Sequence, residues 1–111
     1  MFVGRRDQQV KIRGRRIELL ALETVLNGHP EILQAAALST LGLKGIGSLW
    51  VFVAPRREPL AAGAVREFIL ERLPAHYAPD FVEVVAEMPR NANGKIDRAR
   101  LREFAESAMR K

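Results

Sequence analysis

Residues 49–54 read LWVFVA, six apolar residues in a row with no polar alternation. A strand with one wet face alternates apolar and polar side chains, so an unbroken run of strand length is expected to be covered on both faces. The rest of the chain must therefore supply a layer of structure above this strand and another below it. At 111 residues, 48% hydrophobic and 28% charged, the chain is long enough for one domain with a modest core.

The flanking patterns supply candidate layers. Residues 2–5 and 9–13 read as two strands of a hairpin, with Val10 and Ile12 on one face and Lys11 and Arg13 on the other. Residues 18–27 have helical spacing, with Leu19, Leu22 and Leu26 on one stripe, Gly28 suited to the C′ position and Pro30 preventing continuation. Residues 32–38 form a further apolar run of strand length, and TLGLKGIGS at 40–48 reads as the loop joining it to LWVFVA. Residues 59–73 predict a second helix burying Val65, Phe68, Ile69 and Leu73, closed by the two prolines of LPAHYAP. Residues 81–86 read as a third core strand. PRNANGK is turn-rich, and Asp97 is a good N-cap for a last helix carrying Leu101, Phe104, Ala105, Ala108 and Met109. The predicted order is hairpin, α, β, β, α, β, α: an α/β (α+β) domain with helices against an about three-stranded sheet.

Charge is uneven along this order. Residues 1–16 carry Arg5, Arg6, Lys11, Arg13, Arg15 and Arg16 against Asp7, and residues 90–111 carry seven cations against Asp97, Glu103 and Glu106. Since the whole chain is +5, the middle is net acidic. Both ends attract anions, and phosphate, on a polymer or on a nucleotide, is the obvious one. The chain has no cysteine, which excludes a disulfide framework, a thiolate metal site and a cysteine nucleophile, and agrees with a reducing compartment; cytoplasm is the expected location. No apolar run is long enough to span a membrane, and no secretion signal opens the chain.

Most chemical motifs reduce to ordinary structure. GLKGIGS fits neither the Walker spacing nor the dinucleotide fingerprint, and reads as a strand connection. His29 and His76 are far apart with no carboxylate cluster beside them, so no metal site is expected. Ser39, Ser48 and Ser107 lack a nucleophile-elbow context. NANGKIDR, at 91–98, reads as a turn at Asn93-Gly94 followed by a capped helix, which explains every residue except Lys95. A lysine at the tip of a glycine-released loop is well placed to enter another domain's cleft and meet phosphate or carboxylate oxygens. The basic opening stretch is equally open to a charged hairpin in which Asp7 pairs with a neighbouring arginine.

Taken together and in order, these pieces resemble one family. GRRDQQVKIRGRRIE resembles the GRxDxQVKIRGxRIE motif of adenylate-forming enzymes, specifically the adenylation domains of nonribosomal peptide synthetases, and NGKIDR resembles their NGKxDR motif. LPAHYAP falls where the family has an LPxYMxP-like segment. The resemblance covers essentially all 111 residues, and it is to the small C-terminal subdomain alone. It divides the chain into a hinge and hairpin (1–16), an α/β body (17–89), and a loop with the last helix (90–111). It implies activation of a carboxylate with ATP and magnesium, giving an acyl-adenylate, followed by transfer to coenzyme A or carrier-protein phosphopantetheine. By position, Lys95 matches the lysine that reaches the large domain's site during adenylation. Arg5 matches the arginine contacting the ribose of ATP or AMP, and Asp7 the hinge about which the small domain rotates. Lys11, Arg13 and Gly14 match the hairpin facing the site during thiol transfer, where glycine lets a pantetheine arm pass. The family usually continues RIE-LGEIE, whereas Leu20 and Ala21 stand here in place of Gly and Glu, with Glu23 kept. That departure weakens assignment to a mainstream peptide synthetase module and leaves an acyl-CoA synthetase, or a carrier-loading ligase for another acid, as alternatives.

The resemblance implies a partner: a large N-terminal domain, in cis or in trans, that holds ATP, magnesium and the acid, and without which these residues are expected to be inactive. A carrier protein is a further implied partner. Two alternatives differ in class. One is an adaptor that kept the fold without catalysis. The other is a nucleic-acid-binding module using the basic hairpin and last helix, against which the sequence argues, since Phe2 is the lone aromatic in or near the hairpin and no stacking platform exists.

Overall fold

The computed structural model describes residues 9–12, 14–41, 47–57 and 59–109. β1 (Gln9–Ile12) and β2 (Arg15–Glu18) form an antiparallel hairpin in which Val10 stands opposite Ile17 and Lys11 opposite Arg16. The chain reverses through Gly14, whose φ of 77° is a left-handed conformation that a Cβ disfavours. Residues 2–5, the expected partner of residues 9–13, lie outside the described residues. Among the described residues β1 pairs with the RRIE segment that follows, where glycine at 14 permits a tight reversal and Ile17 completes the apolar face begun by Val10 and Ile12. Ile12 and Ile17 are buried and seat the hairpin on the core.

α1 (Leu19–Asn27) follows directly and buries Leu19, Leu22 and Leu26 as their spacing predicts. Gly28 does close this helix, but at φ −84°, so its left-handed freedom goes unused; its N–H donates to the Val25 carbonyl, and the His29 N–H to the Leu26 carbonyl. β3 (Ile32–Leu41) and β4 (Gly47–Pro55) pair antiparallel and both exceed their expected lengths, taking in Thr40, Leu41, Gly47 and Ser48 from the anticipated loop. β5 (Phe81–Val84) stops two residues short of expectation and lies parallel to β4. The sheet order is β3-β4-β5. A parallel pair needs a crossover, which α2 (Ala62–Arg72) and the short 3-10 turn Ala75–Tyr77 provide. α3 (Arg98–Met109) closes the fold.

β4 is the central strand, and every residue from Leu49 to Pro55 is buried. Its alternation is one of shape rather than polarity. Leu49, Val51 and Val53 face a core made with Leu22 and Leu26 of α1, Val65 and Ile69 of α2, and the hairpin isoleucines. Trp50, Phe52 and Ala54 face a second core completed by Met88 and by Leu101 and Ala105 of α3. On β3, the small Ala36 stands opposite Phe52 on this face. Trp50 fills its face by stacking on Phe52 and Phe81, with ring centroids 5.8 and 4.3 Å away.

Along α3 the expected apolar stripe is narrower than its spacing suggests. Leu101 and Ala105 are buried, but Phe104 is half exposed and Ala108 is exposed; the Met109 side chain lies outside the described residues. Phe104 meets Trp50 and Phe52 in T-shaped contacts, with ring centroids 6.3 and 5.9 Å away. On α2, Val65 and Ile69 are fully buried while Phe68 and Leu73 are packed at the margin. No helix among the described residues is long and apolar enough to cross a membrane.

Candidate functional site

Lys95 sits in a loop that the local sequence ties down almost atom by atom. The Asn91 side-chain oxygen accepts the N–H groups of Asn93 (2.9 Å) and Lys95 (3.1 Å), an Asx-type turn that only Asn or Asp can make. The Gly94 N–H donates to the Asn91 carbonyl, and the Asn91 N–H donates to the Lys95 carbonyl at 2.8 Å. Gly94 takes φ 80° with nothing within 4 Å of where a Cβ would stand, so conformation rather than crowding selects glycine. Arg90 pairs through its backbone with Ile96, closing the loop as a short ribbon. Asp97 then caps α3 as expected, its carboxylate accepting the Arg100 N–H at 3.2 Å while its own N–H bonds to Pro89.

The result is an exposed lysine on a braced stem. Its ammonium has no hydrogen bond or ion pair among the described residues. It borders an open groove of about 690 Å³ whose wall includes Gln34, Asp97 and Arg98. Such a cation is free to meet an anion delivered from outside the domain. Among the described residues no group of three or more His, Cys, Asp or Glu could hold a metal ion.

Glu23 does structural work that its retention in the motif region only hinted at. It lies on the buried stripe of α1 between Leu22 and Leu26, almost wholly out of solvent. One carboxylate oxygen accepts the Ala37 N–H at 2.8 Å, and both oxygens receive the Arg98 guanidinium. One helical turn on, Asn27 accepts the Ala35 N–H. Arg102 continues the series by donating to the Ser39 carbonyl. Side chains from α1 and α3 thus satisfy the free edge of β3, which protects that edge and fastens the last helix to the body. Arg98, the final residue of NGKIDR, is the link between the lysine loop and this network.

The hairpin carries a second cationic surface. Lys11 and Arg16 are cross-strand partners on its outer face, a like-charge juxtaposition that is unfavourable until an anion arrives. Arg16 is partly steadied by Gln9, to whose side-chain oxygen it donates at 2.6 Å. Gln9, Val10, Lys11 and Arg16 line a shallow hollow that shares no residue with the Lys95 groove. Lys95 thus lines one hollow and Lys11 another, while Gly14 is exposed at the hairpin turn. Arg5, Asp7 and Arg13 lie outside the described residues. Tyr77, from LPAHYAP, accepts the Glu18 N–H at 3.3 Å and so props the junction of hairpin and α1.

Comparison with known proteins adds three kinds of likeness. The model of the AMP-binding enzyme C-terminal domain matches residues 21–95. Tyrocidine synthase 3 of Brevibacillus parabrevis is 38% identical over 100 residues, covering 90% of this chain and 2% of that protein. The L-proline--[L-prolyl-carrier protein] ligase of Pseudomonas fluorescens is 40% identical over 98 residues, 87% of this chain and 20% of that protein. The anthranilate CoA ligase AuaEII, solved in complex with anthranoyl-AMP, superposes with a TM-score of 0.78 at 27% identity, covering 95% of this chain and 21% of that one. The chain therefore spans no more than 21% of the length of each of these three.

Proposed function

The chain belongs to the AMP-binding enzyme C-terminal domain family, and from that premise we propose that it serves as the mobile C-terminal subdomain of an ATP-dependent ligase that adenylates a carboxylic acid and then passes the acyl group to a thiol. The observation that carries this reading is Lys95: an exposed cation with no partner among the described residues, on a loop whose backbone is held by several hydrogen bonds.

In the first half-reaction a carboxylate oxygen of the acid attacks the α-phosphorus of ATP and pyrophosphate leaves. Two anions must approach, and a fixed ammonium beside them offsets their repulsion as charge builds in the transition state. Lys95 supplies that ammonium from its groove. ATP and magnesium are assigned chiefly to the large domain. Arg5 is assigned to the ribose hydroxyls.

In the second half-reaction the thiol sulfur of coenzyme A or of carrier-protein phosphopantetheine attacks the acyl carbon and AMP leaves. Lys95 and the hairpin cation Lys11 line different hollows, and the reading assigns one to each step, with a rotation between them. The Lys95 surface faces the large domain first, and the hairpin surface with Lys11, Arg13 and Gly14 replaces it. Asp7, within the hinge and hairpin segment (1–16), is assigned as the hinge about which the small domain rotates; the body (17–89) and the lysine loop with its helix (90–111) turn with it.

The test is Lys95→Ala in the polypeptide that joins this domain to its large domain. Adenylation, read as acid-dependent pyrophosphate release, is expected to fall by orders of magnitude, while thiol transfer from preformed adenylate is spared. Equal loss in both steps would remove the role assigned to Lys95. Without the large domain, the 111-residue chain is expected to release no pyrophosphate.

A further inference from the structure

We propose that Arg90 is a positioning residue for Lys95, holding the peptide unit from which the lysine projects; this rests on the adenylation role proposed above. The Gly94–Lys95 peptide is gripped at both polar ends. Its carbonyl oxygen accepts from Arg90 Nη1 at 3.0 Å, and its N–H donates to the Asn91 side-chain oxygen at 3.1 Å. A peptide group is planar, so fixing its oxygen and its nitrogen fixes the direction in which the Lys95 Cα leaves it. The brace falls at Gly94, where the backbone has most freedom and the loop would otherwise swing.

Arg90 is itself anchored to the body. Its backbone bridges to Ile96, and its Nη2 donates to the Gln34 side-chain oxygen at 3.2 Å. Gln34 sits where the β3–β4 register shifts, and it lines the same groove as Lys95. One planar guanidinium therefore joins the sheet to the lysine's stem through two diverging N–H bonds, a geometry that a flexible ammonium does not reproduce. The far end of the loop is pinned separately by Arg98 on Glu23. The stem of Lys95 is thus tied to β3 on one side and to α1 on the other.

The experiment uses the joined ligase with Arg90→Met, Lys95→Ala and the double variant, reading each half-reaction separately. Arg90→Met is expected to lower kcat for adenylation about tenfold with little change in KM for the acid, since a misplaced group costs rate more than ground-state binding. It should spare thiol transfer from preformed adenylate and add nothing in the Lys95→Ala background. Gln34→Met should show the same pattern more weakly, and it carries the test should Arg90→Met fail to fold. The proposal is overturned if the slowing persists undiminished on top of Lys95→Ala, if it falls equally on both half-reactions, or if adenylation is unchanged while Lys95→Ala is slow. If Lys95→Ala itself leaves adenylation intact, the role of Lys95 fails first and that of Arg90 goes with it.

Discussion

Glu23→Ala is the perturbation whose cost can best be worked from the structure. The side chain is 10% exposed and accepts three hydrogen bonds, one from the Ala37 N–H and two from Arg98. Removing it strands the Ala37 N–H on a buried strand edge, which costs about 1–3 kcal/mol. The Arg98 side chain is 46% exposed and can turn towards water. Its share is therefore closer to the ~0–1 kcal/mol of a surface pair than to the ~3–5 kcal/mol of breaking a fully buried one. The total expected is about 3 kcal/mol, a large part of the ~5–15 kcal/mol that stabilises a typical domain. For a chain of this length that lowers Tm by about 10 °C. The assay is reversible urea and thermal unfolding of the chain, followed by circular dichroism, for wild type, Glu23→Ala, Arg98→Met and the double variant. Because the two groups touch, their costs should fall short of additive by about 1 kcal/mol or more. A Glu23→Ala cost below about 1 kcal/mol, or fully additive single costs, would refute the claim that this carboxylate fastens α3 to the free edge of β3.

Three further outcomes are expected from the same unfolding assay. Gly14→Ala should cost about 1–2 kcal/mol through its positive φ alone, with Gly14→Asn cheaper; equal and negligible costs for both would mean the turn takes another conformation. Trp50→Ala should cost about 3–5 kcal/mol, since it empties the centre of the α3-side core, and a cost near 1 kcal/mol would mean that core is loosely packed. Lys95→Ala should leave stability within about 0.5 kcal/mol of wild type, because its side chain has no partner among the described residues; a larger loss would assign it a structural role and confuse the kinetic test above.

Where the chain would place strands and helices was largely legible from local pattern. LWVFVA announced a strand covered on both faces because burial on two sides removes the need for polar alternation, and β4 is that strand. Leu19, Leu22 and Leu26 announced α1, and Asp97 announced the start of α3, because helix spacing and end-capping are properties of consecutive residues. The lysine loop was readable for the same reason: Asn91, Gly94 and Lys95 interact over four positions.

What local pattern could not decide was partnership between distant segments. The pairing of β1 with the RRIE segment was not anticipated, because it depends on the tight turn at Gly14 and on the burial of Ile17 against helices far along the chain. Phe104 had helical spacing for burial but is half exposed, in T-shaped contact with Trp50 and Phe52. Glu23 and Arg98 stand 75 positions apart, and Arg90 and Gln34 stand 56 apart; neither pair has meaning until α1, β3 and the lysine loop are brought together. Side-chain spacing along a chain reports which face each element will bury, whereas the identity of what it meets there depends on packing the whole, and the bracing of Lys95 belongs to that second kind of information.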